Sequence, residues 1–226
     1  MVVIVCLEGC HGSGKSTLCR QFEQAGYKVL DEAFLSMESF CLHPQTLTME
    51  TLWVSHWMER LLRMHSEQQM TSDTKRHSVF IADRSPYSAV LYAQRNGKLL
   101  EPLIRAALEE LAEKADIHVL TVHIRVEPDV LWQRIQARLR REPQRAKFNE
   151  DSRAWMEHAL SFYNDADRKW NFTVDNNSGA LSQLMANVVG ELRCNSPVWS
   201  DCATPEDKEN DTVGDESAVL SVADTV

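Results

Sequence analysis

Several things are scarce in this 226-residue sequence, and each scarcity closes off a class of function. No apolar run approaches the roughly 20 residues needed to span a bilayer, so no membrane partner is expected. The six cysteines (Cys6, Cys10, Cys19, Cys41, Cys194 and Cys202) include no CxxC pair and no Cys/His spacing suited to zinc. A reducing compartment is the simplest reading, with Cys6, Cys10 and Cys19 acting as small buried hydrophobes. A strand-like run begins at Val2 and leaves no room for a signal peptide, so a cytoplasmic protein is expected. Positive charge is also short: 24 Lys and Arg stand against 33 Asp and Glu, for a formal net charge of −9. Nucleic-acid polymers need a concentrated basic surface, and no such partner is expected.

The negative charge is uneven. From Pro197 onward Asp201, Glu206, Asp207, Glu209, Asp211, Asp215, Glu216 and Asp224 face a single Lys208. That segment has little apolar mass to offset its ordering entropy. The expectation is one folded domain over residues 1–195 and an acidic, disordered tail over 196–226.

What is present is ordinary for a folded α/β domain, with 43% apolar and 25% charged residues. Residues 2–7 form a continuous β-branched and apolar run, the pattern of a parallel strand buried on both faces. Further short strands are expected over 27–30, 79–82, 117–124 and 172–174. Helices are expected over 15–25, 47–70, 87–94, 100–114, 128–141, 151–169 and 178–193. Strands alternating with helices predict a three-layer α/β fold with a five-stranded parallel sheet. Ligands of such sheets gather beyond the carboxyl ends of the strands.

Gly9-Cys10-His11-Gly12-Ser13-Gly14-Lys15-Ser16 matches the phosphate-loop pattern GxxxxGK[ST] in full, between a strand and a helix. The glycines let the backbone turn its N–H groups inward, where they and the helix N-terminus hold phosphate oxygens. Lys15 is expected on the β- and γ-phosphates and Ser16 on Mg²⁺. Gly9 through Ser16, with Thr17 behind them, form the expected ATP site. The guanine-reading Asn-Lys-x-Asp of GTPase switches is absent. Asp83-Arg84-Ser85 ends the third strand: Asp83 can hold the metal and Arg84 can grip a phosphoryl group, or the three can serve as a helix cap with an ion pair.

Asp83-Arg84-Ser85-Pro86-Tyr87-Ser88-Ala89, continuing to Arg95-Asn96-Gly97, resembles the deoxynucleoside kinase family. Its members carry an acidic-Arg-Ser-x-Tyr-Ser segment after the third strand. Residues 4–17 and the arginine-rich 134–145 are compatible with that family, so the resemblance spans 1–193. Thymidylate kinases share the plan and an Asp-Arg pair. The resemblance implies a P-loop kinase with Mg-ATP as donor and a nucleoside or nucleoside monophosphate as acceptor. It also implies a homodimer paired through helices.

The same resemblance implies a Glu after the second strand that takes the acceptor's 5′-hydroxyl proton. Asp31-Glu32 stands there, followed by Ala33-Phe34 where the family has Pro-Val, so either carboxylate fits. It implies that Glu50 occupies the place of a base-reading Gln, and that Tyr87 and Arg84 meet the acceptor. Trp53 and Trp57 share the Glu50 face by helical spacing and can stack on a base or fill the core. Ala89 implies a pyrimidine, thymidine foremost. Arg134, Arg138, Arg140, Arg141 and Arg145 are expected to form an arginine-rich lid, with Arg138 and Arg141 catalytic and Arg145 on ATP. Asp175-Asn176-Asn177 implies the adenine loop, with Asp175 in contact. The expected activity is phosphorylation of a deoxynucleoside. A thymidylate-type monophosphate kinase and a non-catalytic ATP-binding protein stay open beside it.

Overall fold

A computed structural model describes residues 1–32, 40–70 and 78–200. The apolar run at the start of the chain forms β1 (Val2–Glu8), buried along its whole length. The other strands are β2 (Lys28–Leu30), β3 (Ser78–Asp83), β4 (Ile117–Arg125) and β5 (Phe172–Asp175). They form one sheet in the order β2-β3-β1-β4-β5, with every neighbouring pair parallel. Parallel neighbours need long crossovers. These carry α1 (Lys15–Gln24), α2 (Leu47–Met70), α3 (Ser88–Tyr92), α4 (Glu101–Ala115), α5 (Pro128–Leu139) and α6 (Arg153–Tyr163), and α7 (Leu181–Asn195) follows β5.

The period-2 alternation of β1 assigns its side chains to two cores. Val3, Val5 and Leu7 pack with Leu18 and Phe22 of α1 and with Leu184, Val188 and Leu192 of α7. Val2, Ile4 and Cys6 pack with Trp53, Trp57 and Leu61 of α2 and Ile104 of α4. Each such side chain contributes about 1.5–3 kcal/mol on burial. A third cluster, built on Leu131, Ile135, Met156 and Leu160, holds α5 and α6 beneath Cys10 of the phosphate loop. Cys6, Cys10 and Cys19 are free and buried, as expected.

The strand registers position the site. Leu7 lies opposite Asp83 and Glu8 opposite His123, so the loop after β1 begins beside the end of β3. Arg125 lies opposite Asp175, which brings the residues after β5 to the other flank.

The expected boundary at residue 196 is displaced. Pro197–Ser200 forms a short helix, α8, and Trp199 is buried and stacked on Tyr27 with ring centroids 6.2 Å apart. One tryptophan hardly alters the average composition of an acidic segment, which hid the packing. Residues 201–226, where the rest of the expected disorder falls, lie outside the described residues, as do Ala33 and Phe34. The helix expected over 128–141 stops at Leu139 ahead of Pro143. Arg141 therefore stands in a turn and Arg145 in a 3-10 segment, Pro143–Phe148. Among the described residues no helix is long and apolar enough to cross a membrane.

Candidate active site at the carboxyl ends of the strands

The loop after β1 turns through positive φ at Gly9, Gly12 and Gly14. At Gly9 the crowding is decisive: a Cβ there would lie 2.7 Å from the carbonyl oxygen of Ile124. α1 then starts at Lys15 with its N-terminus on the loop. Lys15 Nζ bends back and donates to the carbonyls of Gly9 (2.7 Å) and Cys10 (3.0 Å). Burial, and then Arg84, push its ammonium down to about 8 against the opposing pull of Asp83 and Glu32.

Ser16 Oγ donates to Oδ2 of Asp83 at 2.5 Å. Oδ1 of Asp83 is buried without a hydrogen-bond partner among the described residues. A hydroxyl and a carboxylate with an unused oxygen form a hard oxygen set, and Mg²⁺ commonly binds through one or two such groups while the nucleotide phosphates and water complete its shell. The residues fit the metal. No group of three or more His, Cys, Asp or Glu able to hold a metal occurs among the described residues.

Arg84 follows β3 at φ 78°, a conformation unfavourable for a side chain with a Cβ. Its guanidinium is buried: Nε lies 2.8 Å from Oε1 of Glu32, Nη1 donates to Tyr163 Oη at 3.0 Å, and the group lies over the ring of Tyr92. Glu32 borders the central cavity. Asp31 instead faces outward and pairs with Arg60 at 2.8 Å. The structure thus brings Glu32, not Asp31, to the cavity.

That cavity, of about 700 Å³, is lined by phosphate-loop residues, Asp83, Glu32 and Arg84, and on its far wall by Arg134, Arg138, Arg141 and Arg145. Arg134 donates to the Asn177 carbonyl at 3.1 Å, and two of the others are held by carboxylates. Arg138 pairs with Glu150, and Arg145 with Glu142 and, at 3.2 Å, with Glu150. Burial works against the charge of Glu150, but Arg138 outweighs it and holds the carboxyl below its usual range. His11 also borders the cavity; burial pushes its imidazole down to about 4, and its Nε2 has no partner.

Other expected residues lie elsewhere. Trp53 and Trp57 are buried in the core between α2 and the sheet, and the indole N–H of Trp53 donates to the Glu32 carbonyl at 2.9 Å. Their helical spacing follows that core face, and neither lines the cavity. Glu50 is buried, with Oε1 unpartnered, and does not line the cavity; burial pushes its carboxyl well up. Tyr87 packs on the same core and is likewise off the cavity wall. Asp175 pairs with Arg125 across the β4–β5 ladder (2.6 and 2.9 Å) on the exposed side and does not line the cavity. Its neighbour Asn176 lines the cavity and donates to the Ser13 carbonyl at 2.8 Å. Sequence reasoning missed Glu8 and Tyr163, whose partners lie far away in sequence, and Glu150, which pairs with the nearby Arg138 and Arg145. Only Glu8, a carboxylate ending an otherwise apolar strand, offered a signal.

The family profile described as an AAA domain matches residues 4–170. No curated protein matches the chain in sequence. Among solved structures, the chain is similar to the deoxyadenosine kinase from M. mycoides with the products dCMP and a flexible dCDP bound. The identity is 14%, the TM-score 0.51, and 84% of this chain and 98% of that chain are covered. The YorR protein of Bacillus subtilis in complex with phosphorylated GDP aligns at 15% identity and TM-score 0.49, covering 84% and 96%. The first likeness shows the fold: a five-stranded parallel sheet flanked by helices, as in a P-loop kinase.

Proposed function

The chain belongs to the AAA domain family, and from that premise we propose that it transfers the γ-phosphoryl group of Mg-ATP to the 5′-hydroxyl of a deoxynucleoside. The observation that carries this reading is the placement of Glu32. A carboxylate stands on the same cavity as the phosphate loop, beside the buried guanidinium of Arg84. A hydroxyl acceptor needs a base, whereas a phosphate acceptor arrives already charged.

Mg-ATP supplies the transferable phosphoryl group and a cation that neutralises its oxygens. The loop amides and Lys15 would hold the β- and γ-phosphates, and Ser16 and Asp83 would hold the metal. Glu32 takes the proton of the 5′-hydroxyl as its oxygen bonds to the γ-phosphorus, and the bond to the departing ADP oxygen breaks. Arg84 orients the acceptor. Arg138, Arg141 and Arg145 act as the lid, stabilising charge on the moving group and excluding water. The domain proper extends through α8. A pyrimidine acceptor, thymidine foremost, is favoured by Ala89, which lies buried behind the turn that carries Arg84.

A second reading, phosphorylation of the nucleoside monophosphate, is favoured by the four arginines Arg84, Arg138, Arg141 and Arg145 on one cavity. ADP release from Mg-ATP, with thymidine, deoxycytidine and their monophosphates offered separately, tests both. Turnover on a nucleoside supports the first reading. Turnover on monophosphates alone overturns it in favour of the second, and ATP binding without turnover on any acceptor overturns both.

A further inference from the structure

Glu8, at the end of β1, is fully buried and has no cation within ion-pair distance among the described residues. Both its oxygens are nonetheless used. Oε1 accepts from the backbone N–H of Ser85 (2.7 Å) and its hydroxyl (2.6 Å), and Oε2 accepts from the Ser88 hydroxyl (2.8 Å). Ser88 Oγ lies 3.2 Å from Tyr163 Oη, and Arg84 Nη1 is shared between them, donating to Tyr163 Oη at 3.0 Å and to Ser88 Oγ at 3.3 Å. A hydroxyl has one proton to give. Ser88 gives its proton to Glu8, so Tyr163 must give its own to Ser88, leaving its lone pairs for Arg84. Only one direction is consistent: Arg84 to Tyr163, Tyr163 to Ser88, Ser88 to Glu8. The chain ends on a group that only accepts.

The network holds a conformation that would not persist alone. Arg84 sits at φ 78°, and the residues after it are drawn toward Glu8 by three hydrogen bonds. Tyr163 is equally fixed, its ring parallel to His123 (5.7 Å between centroids, 18°) and tilted against Trp170 (5.6 Å). It arrives from α6, a different element from the one that carries Arg84. Neither Glu8 nor Tyr163 lines the cavity.

We propose that Glu8 and Tyr163 are positioning residues that fix the guanidinium of Arg84 toward Glu32 and the acceptor. This rests on the acceptor role given to Arg84 under the proposed function. Loss of one hydrogen bond to a charged group that sets a ligand's position corresponds to about a tenfold change.

Tyr163→Phe keeps the ring stacking and deletes only the hydroxyl. It is expected to raise the acceptor KM about tenfold and to leave the KM for ATP within about twofold. Glu8→Gln, which places an amide donor among hydrogen-bond donors, is expected to show the same split. An unchanged acceptor KM in Tyr163→Phe, or parallel rises in both KM values, overturns the proposal.

A second readout needs no turnover: the ¹⁵N-edited Nε–H resonance of Arg84, assigned by its loss in Arg84→Lys. It should exchange slowly in the wild type and markedly faster in Tyr163→Phe; equal exchange in the two proteins overturns the proposal. A wild type that phosphorylates no nucleoside or monophosphate removes the proposed function while leaving this exchange comparison to decide the positioning role.

Discussion

Glu32 and Asp31 are adjacent in sequence but engaged with different arginines, one beneath the cavity and one on the outer surface. That separation makes the proton-accepting role testable at single-residue level. Glu32→Gln keeps the size of the side chain and should lower kcat about 10²–10⁴-fold while leaving the KM for ATP nearly unchanged. Asp31→Asn should leave both near wild type, and the opposite pattern would transfer the role to Asp31. Lys15 offers a second test. Its ammonium, pushed down to about 8 by burial, is charged below that pH and loses its charge above it. ATP affinity should therefore weaken as pH rises through about 8, measured by calorimetry, and Lys15→Ala should bind weakly with that dependence gone. At this scale the phosphate loop and Asp83-Arg84 were legible in the sequence because their chemistry is local to a strand end. Within Asp175-Asn176-Asn177 it is Asn176 that meets the loop, because a shift of one residue at a strand end decides which side chain faces it.

Among the elements, α8 departs most from expectation. It is four residues long, yet it puts Trp199 into the cluster formed by β1, α1 and α7. Its removal should act on stability rather than chemistry, since Trp199 touches no cavity residue named above. Trp199→Ala should cost about 3 kcal/mol in unfolding free energy, read from denaturant midpoints, with KM values unchanged. Truncation before Pro197 should do at least as much; an unchanged midpoint in both would mean that α8 does not hold the core. The same scale shows what periodicity cannot read. In α2 the spacing of Trp53, Trp57 and Leu61 marks a buried face, but a core and a ligand wall give the same spacing. In the structure both tryptophans pack against the sheet, and Trp53 also bonds the Glu32 backbone.

At the scale of the whole molecule, the parallel sheet follows from alternating strands and helices and from the burial of β1, both visible in the sequence, whereas the strand order is seen only in the structure. The buried polar groups between the layers are not visible there, because each has partners from distant segments. His123 is one. Burial, then Arg125, pushes its imidazole down to about 4 from an ordinary 6.5. The unfolded chain therefore binds the proton more tightly, so the contribution of His123 to stability is complete above about 6.5 and is lost as pH falls toward 4, roughly 3 kcal/mol in all. His123→Phe keeps a ring beside Tyr163 and should flatten the acid side of the stability–pH curve; an unchanged slope would place the acid sensitivity elsewhere.

The paired arginines of the cavity wall have a consequence for which anions the protein takes up. Seven cationic side chains and four carboxylates line the cavity, so its net charge is only +3. An anion that engages Arg138 or Arg145 gains one attraction while loosening another, their pairing with Glu150. A polyphosphate that also occupies the loop gains enough elsewhere to make that exchange. Glu142 and Glu150 are thus resident counter-ions of Arg138 and Arg145, and the charge that the cavity offers an incoming anion is smaller than the number of its arginines alone would suggest.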